Sequence, residues 1–182
     1  MGKLVDFGGA KSSYDNDSLW TAAREFCEET GAIFLLPQRG RQSSIKWDTE
    51  APSFEEQLAQ LAAMSESQIE KNPAVITATQ ALYCSMRNRN VDAQLLITRT
   101  GQWVYALYLA EIDWVDLKAI NLAYDTTVRK KRQFLWIPAA EMLELTSPNY
   151  SIIHQLNLLS RVKNAYGLHS AVKSLIDKHQ AL

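Results

Sequence analysis

Arg24, Glu25, Glu28 and Glu29 stand together in the run REFCEETGA at 24–32. On a helix, positions i, i+3 and i+4 share one face, so Glu25, Glu28 and Glu29 would present their carboxylates together. Such a face is either a solvated acidic surface or a set of hard oxygen donors for a divalent cation. In the second case the metal charge removes the mutual repulsion, and Arg24 can pair with a neighbouring carboxylate and fix its rotamer. Upstream, Gly8 and Gly9 break the chain ahead of a polar loop, AKSSYDND. A carbonyl at Gly9 can approach a metal closely because no side chain intervenes.

The elements around these residues follow from local signals. KLVDF reads as a strand ending at the glycine pair. Asp17 or Ser18 can cap a helix over LWTAAREFCEET, stopped by Gly31, with AIFLL after it as a buried strand. Residues 38–90 read as a helical insertion. It contains a loop, an amphipathic helix over FEEQLAQLAAMSESQIEK, a break at Asn72-Pro73 and a helix or mixed segment after it. Alternating apolar residues around Thr100-Gly101 predict a hairpin over 93–112. RQFLWI reads as a further strand, PAAEMLEL as a helix beginning at Pro138, and the C-terminal segment as two helices separated by Gly167.

Together, FGGAKSSYDNDSLWTAAREFCEETGA resembles the signature of the Nudix hydrolases. Arg24, Glu25, Phe26, Glu28, Glu29, Gly31 and Ala32 match the second half of that signature, and Gly8-Gly9 match its start. The first half departs from it: the loop is one residue longer, which brings Asp15 into the place of the usual loop acid, and Ser12 stands where another acid is common. The resemblance implies an α/β (α+β) fold, a mixed β-sheet with helices on both faces, here a single domain with the helical insertion and with the N-terminal strands short or missing. It also implies cleavage of the pyrophosphate linkage of a nucleoside diphosphate derivative with Mg2+ or Mn2+. Glu25, Glu28 and Glu29 would be ligands with the Gly9 carbonyl, and Arg24 would support them. The general base stays open between Glu25 and a later acid such as Glu111, Asp113 or Glu141. The alternative is a catalytically weak module of the same fold that binds a nucleotide, RNA or a protein.

Further residues carry weaker signals. Lys11 in the loop and Arg132 in the basic run VRKKR at 128–132 are candidate phosphate contacts, and that run is all that would support an RNA partner. His154, His169 and His179 lack ligand spacing, Cys27 reads as a small apolar residue, and Trp103, Trp114 and Trp136 read as packing residues. A net charge of -1 provides no field for nucleic acid or anionic membrane. Two cysteines without metal or disulfide spacing suit a reducing compartment. With no apolar stretch of membrane-spanning length, the expectation is a cytoplasmic protein with no membrane partner.

Overall fold

A computed structural model describes residues 8–36, 52–89, 94–97, 103–108, 110, 112–125, 134–138 and 140. The chain divides into two compact units. One combines 7–90 with 110–135 and carries the carboxylate motif; the other combines 1–6, 91–109 and 136–182.

In the first unit, helix α1 spans Ser18–Thr30. The Asp17 side chain accepts from the Trp20 N–H and caps its start. At its end Gly31 adopts a left-handed conformation, φ 58°, so the last carbonyls are closed off in the expected way. Gly31 is irreplaceable for a second reason, because a β carbon there would collide with the Leu61 methyls.

The chain then departs from the expected strand. Ala32 also takes a positive φ of 60°, and two successive left-handed residues turn the backbone back on itself. Ile33–Leu35 consequently winds into a 3-10 turn instead of extending. Its apolar residues are still core: Ile33, Phe34, Leu35 and Leu36 are all buried.

Four further helices are found among the described residues of this unit. Helix α2, Phe54–Ala63, starts with a capping box in which Ser53 and Glu56 satisfy one another's backbone N–H groups. Helix α3 is the short Glu66–Ile69. Helix α4, Pro73–Asn88, begins at the Asn72-Pro73 step, with the Asn72 side chain accepting from the Ala74 N–H and proline in the first turn. Helix α4 packs along α1, which places Val75, Ala78, Thr79 and Leu82 in the same core as Ala23 and Cys27. Helix α5, Leu117–Asp125, packs on α2. Asn121 on α5 makes a reciprocal pair with the Phe134 backbone, donating to its carbonyl at 3.0 Å and accepting from its N–H at 2.8 Å. That pair seats the Phe134 ring edge-on against Phe34, 5.2 Å between centroids.

In the second unit, strands β1 (Gln94–Ile97) and β2 (Trp103–Leu107) form an antiparallel ladder, with Leu95 opposite Ala106 and an irregularity after Leu96. This is the expected hairpin.

The expected mixed β-sheet with helices on both faces is corrected by these observations. The described residues are predominantly helical, and their extended structure is confined to the two-stranded ladder. The physical causes are local. The paired left-handed residues abolish the strand at 32–36, while the helices capped at Ser53 and Asn72 fall within the segment expected to be helical. Residues 134–137 of RQFLWI adopt no regular strand, and Phe134 is bonded through the side chain of Asn121. Trp114 and Trp136, expected to pack, are exposed at 61% and 42%. The expected strand KLVDF, most of the helix from Pro138, the two C-terminal helices, the 128–132 run and the three histidines lie outside the described residues.

Candidate functional site

Residues 9–17 form a loop that folds back over the middle of α1, and Arg24 is the residue that ties the two together. Its guanidinium donates through Nε to Asp15 Oδ1 at 2.9 Å and through Nη2 to Asp15 Oδ2 at 3.1 Å. This is the fork-on-fork geometry that arginine and a carboxylate make best. Nη2 also reaches the Ala10 carbonyl at 3.2 Å and the Glu25 carboxylate at 2.8 Å, while Nη1 donates to Glu28 Oε2 at 2.7 Å. One side chain thus binds two points of the loop and both neighbouring glutamates of the helix.

Asp15 has a fully buried side chain, so its other bonds matter. Oδ2 accepts from the Ser12 N–H at 2.8 Å and from the Thr21 hydroxyl at 3.0 Å. Burial pushes the Asp15 carboxyl up, but the bonds from Arg24, Ser12 and Thr21 and the charge of Arg24 outweigh it and hold the group down at about 2. Arg24 is raised in turn, chiefly by its hydrogen bond to Asp15.

Glu28 behaves in the opposite way. Burial raises its carboxyl above the ordinary glutamate value; Arg24 opposes this, and the charges of Glu25 and Glu70 add to it. Asp15, Glu25 and Glu28 all pair with Arg24. Glu29 lies half-buried on the same helix. Gly9 sits so near that a β carbon there would overlap the Glu25 carboxyl group, which brings its backbone to the acidic face.

Gly9, Arg24, Glu25 and Glu28 are therefore brought together as the sequence predicts. Lys11 is exposed and donates to the Asn16 carbonyl at 3.4 Å, within its own loop. Asp113 is half-buried in the segment just ahead of α5, and Glu111, Glu141 and Arg132 lie outside the described residues. Cys27 is fully buried, its thiol pushed up to about 12 mainly by that burial, so it is a core residue without thiolate chemistry.

Sequence reasoning missed a second anchor. Tyr83 on α4 donates its hydroxyl to the capping carboxylate of Asp17 at 3.1 Å and packs edge-on against Trp20, with Arg87 donating back to the phenol oxygen at 3.3 Å. Asp17 and Tyr83 are 66 residues apart, and no spacing rule connects positions that distant.

Whether a divalent cation suits this face is a question of donors and charge. The donors are carboxylate and carbonyl oxygens, as hard cations require. As they stand, Glu25 and Glu28 are turned onto Arg24, and among the described residues no three acidic, histidine or cysteine side chains converge as a ready metal cage. The chemistry of the donor set fits; the residues that would hold the ion are Glu25, Glu28, Glu29 and the Gly9 carbonyl.

Compared with models of known protein families, with curated proteins and with solved structures, the chain matches none. Among the described residues, no helix is long and apolar enough to cross a membrane.

Proposed function

We propose that the 9–29 loop and helix form the reacting centre of a metal-dependent hydrolase that cleaves the pyrophosphate linkage of a nucleoside diphosphate derivative. The observation that carries this reading is the Arg24 clamp. It holds the loop against the helix and gathers the Glu25 and Glu28 carboxylates around one guanidinium beside Gly9. The match of residues 8–32 to the Nudix signature supports it further, here on a helical frame.

A bound magnesium or manganese ion would polarise the phosphoryl oxygens and lower the pKa of water beside it. The protein's own part is positional. Arg24 keeps Glu25 and Glu28 in fixed rotamers, and Asp15 keeps Arg24 in place from a buried position. Gly9 lets the loop backbone approach the carboxylates. Removal of a proton from the attacking water falls to a carboxylate of this face.

The test is turnover of a panel of nucleoside diphosphate derivatives with magnesium or manganese, by wild type and by Glu29→Gln. Loss of one metal-bridging carboxylate is expected to reduce the rate on the order of 10³-fold. A specific observation favours a second reading, since Glu25 and Glu28 are engaged by Arg24 and not turned toward a common point. A well-folded sample with no metal-dependent turnover across the panel would establish that reading, a nucleotide-binding module without catalysis.

A further inference from the structure

Tyr14 is 90% exposed, although a tyrosine ring normally buries most of its surface. Its mounting is nevertheless rigid. The Asp15 N–H donates to the Ser12 carbonyl at 3.2 Å, closing a turn with Ser13 and Tyr14 at its tip. The Tyr14 N–H donates to the Ser12 hydroxyl at 3.2 Å, and the Ser12 N–H donates to Asp15 Oδ2 at 2.8 Å. Asp15 in turn is buried and held by Arg24. The ring is thus presented to water at the tip of a hydrogen-bonded turn.

The carboxylate face explains recognition of phosphates through a cation, but it has nothing to offer an uncharged base. We propose that Tyr14 is the stacking platform for the nucleobase of the substrate, a proposal that rests on the hydrolase reading above. Two features of the position favour it. The ring is one residue from Asp15, on the loop whose Gly9 end abuts Glu25, so base and pyrophosphate would be gripped by the two ends of one braced segment. An aromatic ring has few rotatable bonds, so ordering it on a ligand costs little entropy. Every base has a π face, so such a platform accepts purines and pyrimidines alike and sets affinity more than identity.

Calorimetry with magnesium present tests this, using α,β-methylene-ADP and, as a base-free comparator, methylene diphosphonate. The proteins are wild type, Tyr14→Ala and Tyr14→Phe; the exposed side chain makes both variants safe for folding, which circular dichroism checks. Tyr14→Ala is expected to weaken the nucleotide analogue about five- to a hundredfold and to leave methylene diphosphonate unchanged, while Tyr14→Phe restores wild-type affinity. Unchanged nucleotide affinity in Tyr14→Ala, or an equal loss for both ligands, overturns the platform and leaves the hydrolase reading standing. Wild-type protein that binds neither ligand overturns the hydrolase reading and the platform with it.

Discussion

Replacing Asp15 by asparagine keeps the shape of the buried side chain and removes its charge. Arg24 would retain Glu25 and Glu28 but lose the partner that anchors it to the loop. The size of the effect follows from the carboxyl's displacement from 3.8 to about 2, which corresponds to about 2.5 kcal/mol of folding stability at neutral pH. The sign is that of a depressed acid. Its stabilisation is fully present above about pH 4, the unfolded value, and is lost as pH falls toward about 2. Urea unfolding followed by far-ultraviolet circular dichroism should therefore place Asp15→Asn about 2–3 kcal/mol below wild type at pH 7. The gap should hold to about pH 4 and close as the pH drops further. A difference under about 0.5 kcal/mol at pH 7, or one of constant size down to about pH 2.5, would refute the reasoning.

Glu28 should show the reverse balance. Its raised carboxyl favours the protonated form in the folded state, so Glu28→Gln is expected to leave stability at pH 7 unchanged or higher while abolishing magnesium binding measured by calorimetry; a variant that binds magnesium as wild type does removes Glu28 from the site. Gly31→Ala combines a positive φ with a clash against Leu61 and should cost about 2–3 kcal/mol in the same unfolding assay, a loss below about 1 kcal/mol contradicting the described helix end. Tyr83→Phe leaves the α1 capping carboxylate without its phenol partner and should cost about 1 kcal/mol, with no loss expected if the Asp17 contact carries no energy.

The site was more legible than the fold, and the reason is sequence distance. Whereas the Asp15 partner of Arg24 sits in the loop and was not foreseen, Arg24, Glu25 and Glu28 lie on one helix, where spacing alone dictates which side chains meet. The same holds for the Asp17 cap, the Gly31 stop and the Asn72-Pro73 start. AIFLL was misread because a short apolar run does not distinguish a buried strand from a buried turn; the deciding fact was the left-handed conformation of Ala32, a residue with no sequence bias toward it. The sheet was inferred by carrying the architecture of a resembled family onto the whole chain, whereas the helical reading of 54–88 came from local caps and periodicity. Trp114 and Trp136 were read as packing on residue type alone, which says nothing about the face a side chain finally occupies.

The ties that hold α1 differ widely in the length of chain they must close. Asp15 and Arg24 are nine residues apart, so the charged knot can form inside a short, newly emerged segment at small entropic cost. The far end of the helix has to wait, since the Gly31 carbonyl is bonded by Gln57, 26 residues on, and the capping carboxylate by Tyr83, 66 residues away. Assembly would thus proceed from chemistry to scaffold, with the reactive face organised before the core that shelters it. A chain caught between these stages would display an ordered acidic motif on an unfinished body. On the metal-dependent reading proposed above, an ion would then meet its carboxylates before the body is complete and add to the stability of the folding chain.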